Sequence, residues 1–365
     1  MGINFNTDGG LRSLHSCYHY INGSAKRITG IYTKKDSSIC KIWEDEALKQ
    51  NVFIYSVNNE NKAFISFDNC ITWEEINIPR SGYQIIMYVN NKWYAFEDAY
   101  SDILFSYDGK EWNSLNKKLK SKVYNAIYMN NKFFTFGSSC FIYDKDFNSL
   151  EQKVGLPFSN INSSNGVDEF FTMDESRIQV STINADDLSI KETLSINNDG
   201  GNNIRFASEI AIYKDGKYIM CLHDRTALTT SVYQTDCKTL ELLDQSLVFQ
   251  KTSFSEYMSI YNFKGRIIGV VANGDDPTFF YLSENNTAIL STKIKDIDSD
   301  VLPYNICNGL FIDNKDVCLY VGQRGKRYIT YDGINWEYNG TSSSSVSESC
   351  DVIAHSTNGK YINYR

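Results

Sequence analysis

Short apolar runs alternate with small polar turns along most of the chain. One example runs from Ile86 to Tyr94, where Asn90 and Asn91 separate two runs of aliphatic and aromatic residues. Asn-Asn, Asn-Gly and Asp-Gly between apolar runs are typical of tight β-hairpins. The pattern therefore predicts hairpins at residues 86–94, 127–134, 212–219, 260–267, 310–317 and 352–361.

A second type of hairpin is marked by Ser or Thr, then Asp, a tight turn and Trp. The Asp carboxylate can accept hydrogen bonds from N–H groups of the turn, and a glycine supplies a positive φ at no steric cost. Three segments carry the full pattern, with Ser66, Asp68 and Trp73; Ser106, Asp108, Gly109 and Trp112; and Thr330, Asp332, Gly333 and Trp336. Degenerate copies are expected at residues 143–147, 181–186, 231–236 and 283–286.

The two hairpins recur every 35 to 50 residues or so, the range of four-stranded blades. The prediction is an all-β fold, a β-propeller of about seven four-stranded blades, with six or eight blades and a β-sandwich as alternatives. Six blades are expected at residues 81–119, 120–156, 157–199, 200–248, 249–298 and 299–341. A seventh would combine residues 52–79 with a C-terminal hairpin at 348–365, which removes two open sheet edges.

Composition narrows the class of protein. With 42% hydrophobic and 14% aromatic residues in 365, the chain can bury a large β core. A net charge of −8 opposes nucleic-acid binding. No apolar run approaches about 20 residues, so we expect no membrane insertion. No secretory signal is visible, so we expect the protein to be made in the cytoplasm. Nine cysteines without a C-x-x-C pair indicate buried thiols, and neither a metal nor a cofactor is expected.

The three Asp-containing segments resemble the Asp-box, S-x-D-x-G-x-x-W, of sialidase-type and related (BNR-like) propellers. The first keeps that spacing with Cys70 in place of the glycine, and the other two are one residue shorter. The resemblance implies structural turns away from the centre of the propeller, so no catalytic residue is assigned. Sialidase activity is not expected, because the early Arg-Ile-Pro signature of that family is missing.

Residues 1–43 do not follow the blade pattern and are too few to form a core of their own. Two strands are expected there, around N-G-x-A-K-x-I and K-I-W. These elements are similar to ones found near the ends of tail proteins in phages of Gram-positive bacteria. The resemblance implies a docking segment, residues 1–43, on a propeller formed by residues 44–365. The candidate docking residues are Ile28, Ile31, Tyr32, Ile42 and Trp43.

A candidate ligand face is predicted opposite the Asp-containing turns, in the connections between second and third strands. Carboxylates, cations and aromatic residues gather there, and loops on a rigid scaffold often bind ligands. The candidates are Glu97, Asp98, Tyr100, Arg177, His223, Arg225, Asp275, Asp276 and Arg324. Trp93 and Tyr281 could also stack on sugar rings. The alternative is that these are solvated loop residues.

Together these features favour a structural or receptor-binding component of a phage tail or a phage-tail-like bacteriocin. Its partners would be other tail or baseplate proteins and bacterial cell-surface polysaccharide. Two alternatives stay open. The first is a carbohydrate-active enzyme that uses two carboxylates about 5–10 Å apart, and the second is an intracellular protein-binding propeller.

Overall fold

The first four described strands form two small antiparallel sheets. A computed structural model describes residues 17–21, 24–28, 30–35, 38–44, 52–57, 62–78, 85–90, 92–96, 102–121, 123–137, 139–153, 161–174, 177–196, 204–208, 211–224, 226, 229–244, 258–273, 276–283, 288–291, 310–314, 316–322, 325–341, 350–355 and 360–361. In the first sheet β1 (Cys17–Ile21) pairs with β2 (Ser24–Ile28), and in the second β3 (Gly30–Lys35) pairs with β4 (Ser38–Glu44). The sequence predicted two strands in residues 1–43, and the described part of this segment has four.

The other described strands form a propeller of seven four-stranded blades, which confirms the predicted fold class. Blades 1 to 3 contain β5 (Phe53–Val57), β6 (Lys62–Ser66) and β7 (Glu74–Asn77); β8 (Ile85–Val89), β9 (Lys92–Phe96), β10 (Asp102–Ser106) and β11 (Asn113–Lys118); and β12 (Val123–Met129), β13 (Lys132–Gly137), β14 (Cys140–Asp144) and β15 (Ser149–Lys153). Blades 4 and 5 contain β16 (Ser163–Ser164), β17 (Glu169–Asp174), β18 (Gln179–Asn184) and β19 (Ile190–Ser195); and β20 (Ile204–Phe206), β21 (Ile212–Lys214), β22 (Lys217–Asp224), β23 (Thr229–Thr235) and β24 (Leu240–Asp244). In blade 5, β20 and β21 both pair with β22 and together take the place of the first strand. Blades 6 and 7 contain β25 (Met258–Phe263), β26 (Arg266–Asn273), β27 (Asp276–Leu282) and β28 (Ala288–Leu290); and β29 (Leu310–Asp313), β30 (Cys318–Val321), β31 (Arg327–Thr330) and β32 (Glu337–Tyr338).

Both ends of the propeller sequence close blade 1. Strand β33 (Cys350–His355) pairs with β5 in an antiparallel register that places Ile353 opposite Tyr55. The C-terminal part thus supplies the first strand, and residues 53–77 supply the other three. The predicted C-terminal hairpin is corrected, because β34 (Lys360–Tyr361) pairs with β12 of blade 3 and not with β33. The inner edge of β12 offers unpaired backbone groups to which a further strand can bond.

Burial follows strand position within each blade. The second strands β9 and β30 and the third strand β31 are buried on both sides, whereas the outer strands β7, β11 and β19 are largely exposed. Aromatic rings from neighbouring blades pack between the sheets. Phe171 stacks on Tyr218 with ring centroids 4.2 Å apart, and Phe279 stacks on Trp336 at 4.0 Å. Burying each large side chain stabilises the fold by roughly 1.5–3 kcal/mol.

The antiparallel strand order defines two faces. Turns from the first to the second strand and from the third to the fourth strand lie at one end of each blade, which we call the turn face. Connections from the second to the third strand lie at the other end, which we call the loop face. The first strands contact one another around the centre, β29 with β33 and β33 with β8.

Candidate functional site

The three Asp-containing turns share one hydrogen-bond pattern on the turn face. In each, the Asp carboxylate accepts hydrogen bonds from backbone N–H groups that follow it in the turn. The donors are Thr72 N to Asp68 (2.9 Å), Lys110 N and Glu111 N to Asp108 (2.8 and 3.0 Å), and Ile334 N and Asn335 N to Asp332 (both 2.8 Å). The hydroxyl groups accept the next bonds, from Cys70 N to Ser66 (3.1 Å), Gly109 N to Ser106 (2.9 Å) and Gly333 N to Thr330 (2.9 Å). These side chains are therefore occupied in holding the turns.

The tryptophans of these turns take different partners. Trp112 donates from Nε1 to the carbonyl of Gly109 in its own turn (3.0 Å). Trp73 donates to Oδ1 of Asn339 in blade 7 (2.9 Å), and the guanidinium of Arg327 lies over its ring at 5.1 Å. Two of the three tryptophans thus pack against a neighbouring blade, since Trp336 stacks on Phe279 of blade 6.

Six of the described turns between third and fourth strands place a buried residue with positive φ against the preceding blade. Two are the glycines of the Asp-containing turns, and four are larger residues. They are Cys70 (φ 67°), Gly109 (81°), Phe147 (59°), Leu188 (59°), Cys237 (65°) and Gly333 (73°). A Cβ on Gly333 would lie 3.1 Å from Ile268 of blade 6, and Cys237 belongs to a core cluster with Phe171 of blade 4. The turns therefore join blades to each other as well as strands within a blade.

Most of the predicted ligand face lies outside the described residues. This holds for Glu97, Asp98, Tyr100, Arg225, Asp275 and Arg324, and for the side chain of Asp276, whose backbone begins β27. Arg177 is exposed, and its Nε lies 3.7 Å from Oδ2 of Asp174. These two residues flank one connection of the loop face, between β17 and β18.

Three predicted contact residues need correction. His223 is buried, and its Nδ1 lies 2.9 Å from Oγ1 of Thr230 on the paired strand, so its ring is part of the sheet and not of a ligand surface. Trp93 is only 1% exposed because it packs in the core. Tyr281 is near the end of β27 that leads to the turn face, opposite the predicted face.

The turn face carries a cleft of about 490 Å³ that sequence reasoning missed. It lies among turns of blades 5, 6 and 7. Its described lining includes three cationic residues, one aromatic ring and aliphatic side chains, among them Lys214, Lys264, Arg266, Tyr281, Ile289 and Ile334. Lys264 and Arg266 border a hairpin turn predicted at 260–267, whereas the other four residues lie further away in sequence and were not linked to it. A cationic cleft on an acidic protein is suited to an anionic ligand.

One buried carboxyl group stands near this cleft. Oδ1 of Asp313 accepts a hydrogen bond from the hydroxyl of Tyr261 (2.7 Å). Burial raises the pKa of Asp313 to about 6, although the Tyr261 bond and the charge of Lys264 oppose the increase. A single acid paired with a tyrosine is not the carboxylate pair of a glycoside hydrolase. In the described ranges no group of three or more His, Cys, Asp or Glu side chains could hold a metal ion.

The fold and its turns define the chain as a seven-bladed β-propeller. It is similar in structure to the WD40 β-propeller domain of Doa1, with 14% identity, 78% of this chain and 88% of that chain covered, and a TM-score of 0.47. It is also similar to BamB from Moraxella catarrhalis (7% identity, 80% and 88% covered, TM-score 0.44) and to the C-terminal WD40 domain of Sif2 (8% identity, 84% and 83% covered, TM-score 0.44). No protein-family model and no curated protein matches the chain. What it binds is therefore argued from its own residues.

Proposed function

We propose that this propeller is a binding and assembly component without catalytic activity. Residues 1–43 dock it to a phage tail or to the baseplate of a phage-tail-like bacteriocin, and the propeller binds a protein partner or bacterial cell-surface polysaccharide. The Asp-containing turns are assigned the structural role that the Asp-box has in related propellers. The chain is made in the bacterial cytoplasm and reaches the outside as part of the particle.

The observation that carries this proposal is that the two N-terminal sheets are not part of any blade. In the described residues, β1 pairs only with β2 and β3 only with β4, and neither sheet extends a blade. An isolated two-stranded sheet is marginally stable in water, because it cannot bury a hydrophobic face. The four strands include all five candidate docking residues, Ile28, Ile31, Tyr32, Ile42 and Trp43. A surface on another protein would stabilise them.

Other features support a binding role. The closed propeller is a rigid scaffold for exposed turns and loops, which is where binding residues concentrate. Five described cysteines are buried free thiols, as suits folding in a reducing compartment before release with a particle. The described part contains no helix long and apolar enough to cross a membrane. The glycosidase alternative depends on carboxylates outside the described residues, and no described geometry favours it.

The test is co-sedimentation. Particles from an induced lysate of the source strain are purified, and mass spectrometry asks whether the chain sediments with tube and sheath proteins. A chain lacking residues 1–43 should keep the β-sheet circular dichroism of the full protein and be absent from the particles. Trp43→Asp in the full chain should also weaken co-sedimentation. The matched change Trp112→Asp alters a propeller turn outside the docking segment and should leave co-sedimentation unchanged. A truncated chain that still sediments with particles would contradict the docking role.

A further inference from the structure

In the described residues, neither lysine of the turn-face cleft forms an ion pair. Nζ of Lys214 donates to the carbonyl of Gly265 (3.0 Å), and Nζ of Lys264 donates to the carbonyls of Tyr331 (2.8 Å) and Asp316 (3.3 Å). These acceptors are neutral, and an ammonium group has three donors. Each lysine is therefore held in place and keeps both its charge and a donor for a ligand.

Arg266 adds a guanidinium with a donor to spare. It lies over the ring of Tyr281, 5.1 Å from the ring centroid. Its Nη1 is buried and has no hydrogen-bond partner among the described residues, which is costly for a polar group. A carboxylate that reaches this group gains a charge-assisted hydrogen bond without breaking an existing one. Stacking on Tyr281 also restricts the guanidinium before a ligand arrives.

No described lining residue is acidic, although the protein has a net charge of −8. The buried carboxyl group of Asp313, on which the charge of Lys264 acts, already accepts a hydrogen bond from Tyr261. The three cations are thus a local exception in an acidic molecule. Their charge favours an anionic partner and would also speed its association at low salt.

The rest of the lining separates the classes of anionic ligand. Ile267, Leu282, Ile289 and Ile334 make an aliphatic wall, and Ile289 is 40% exposed. An aliphatic wall suits an apolar side chain next to the acidic group. Sugar rings prefer an open aromatic face, and one face of Tyr281 is covered by Arg266.

We infer that this cleft binds an acidic peptide segment of a partner protein, with a carboxylate at Lys214, Lys264 and Arg266 and an adjoining apolar side chain against the isoleucines. The inference rests on the proposed binding function and names the chemistry of one partner. It concerns a surface on the turn face, whereas the sequence placed the ligand on the loop face.

The experiment titrates the full-length chain by calorimetry with a blocked peptide, Gly-Leu-Asp-Asp-Leu-Gly, in low salt. We expect saturable binding that weakens at least tenfold when both aspartates are replaced by asparagine. Arg266→Gln should weaken binding at least tenfold, whereas Lys217→Gln should leave it unchanged. Lys217 is the matched control, since it lies in blade 5 and is ion-paired with Glu241 outside the cleft. If Arg266→Gln fails to fold, Lys214→Gln replaces it.

Three outcomes would overturn the inference. The first is the same affinity for the aspartate and asparagine peptides, or none. The second is wild-type affinity in the cleft variants. The third is that tetragalacturonate binds more tightly than the peptide and that Arg266→Gln abolishes this binding. The cleft would then be a site for an anionic glycan. Co-sedimentation with particles is measured separately. A chain that binds the peptide but does not sediment with particles would contradict the docking proposal and not the inference about the cleft.

Discussion

Two neighbouring turns on the turn face both contain a residue with positive φ, but one residue is glycine and the other carries a large side chain. Gly109 in blade 2 has φ 81°, and Phe147 in blade 3 has φ 59°. At Gly109 the chain approaches blade 1 so closely that a Cβ would lie 2.7 Å from Cδ1 of Ile54. At Phe147 a phenyl ring packs 5.2 Å from the ring of Tyr94 in blade 2. A blade interface can thus be closed by close backbone approach or by a large side chain.

The two solutions have different energetic consequences. A glycine adopts positive φ freely, whereas any other residue there is strained by about 1 kcal/mol or more. Phe147 offsets that strain by burial, because 96% of its surface is removed from solvent and its ring stacks on Phe133 at 4.2 Å. The comparison predicts that the two turns will respond differently to the same substitution, alanine.

The largest effect is expected at Phe147. Phe147→Ala removes the ring from contacts with Tyr94, Phe96 and Phe133 and leaves a cavity. It should lower the free energy of unfolding by about 3–5 kcal/mol, measured by urea denaturation. Tyr107→Ala, which truncates a tyrosine that is 53% exposed, is the control and should change stability far less.

A second substitution at the same position tests the backbone argument. Elsewhere glycine is usually less stable than alanine, but at positive φ it relieves strain. Phe147→Gly should therefore be no less stable than Phe147→Ala in the same denaturation experiment. If the glycine variant is clearly the less stable one, the strain assigned to this turn is wrong.

A smaller loss is expected at Gly109. Gly109→Ala combines a strained φ with a Cβ 2.7 and 2.8 Å from the buried side chains of Ile54 and Ile65, and should cost about 2 kcal/mol or more. Gly216→Ala is the matched control, because Gly216 has φ 84° but no heavy atom within 4 Å of the added Cβ. That change should cost only about 1 kcal/mol. Equal losses at both glycines would mean that close approach to blade 1 contributes nothing.

The same comparison shows what the sequence could predict of the fold. Hairpins such as the one at Asn90 and the one at Asp215-Gly216 were predicted because local residues determine them, and both turns have positive φ in the structure. Gly109 was marked by its motif. A degenerate copy was predicted at residues 143–147, but the positive φ of Phe147 and that of Leu188 were not, because such a backbone angle in a non-glycine residue is fixed by packing against another blade. The division of the C-terminal strands between two blades likewise depends on distant partners.

The candidate site was predicted less well, for a similar reason. The cleft is built from Lys214, Arg266 and Ile334, which three different blades supply. Their proximity follows from blade order and not from any local motif. The predicted carboxylate clusters were adjacent in sequence, and most lie outside the described residues. His223 was wrongly predicted to lie on the ligand face, because a polar residue near the end of a strand can be buried against the paired strand.

The smallest predicted effect on stability concerns the Asp carboxylate, which the glycine turns and the phenylalanine turn have in common. Burial raises the pKa of Asp332, but hydrogen bonds from Asn335, Ile334 and Thr330 outweigh it, so the pKa lies below its ordinary value. In the Phe147 turn, hydrogen bonds from Asn148 likewise lower the pKa of Asp144. A lowered pKa in the folded state means stability that is present above the unfolded pKa near 4 and is lost as the pH falls through the folded value.

Asp332→Asn should therefore lower stability at pH 7, and the difference from the parent should shrink below pH 4. Both effects should be seen in urea titrations at the two pH values. Because Asp332 is exposed, solvent screening keeps the loss at pH 7 to about 1 kcal/mol or less. Asp144→Asn should show the same pH dependence, since its carboxylate holds its turn through the N–H groups of Asp146 and Asn148 in the same way. A loss that is equal at pH 7 and pH 3 in both variants would show that the charge of the carboxylate is not what stabilises these turns. The geometry of the carboxyl group would then be what stabilises the turn, and the glycine and phenylalanine turns would differ in packing alone.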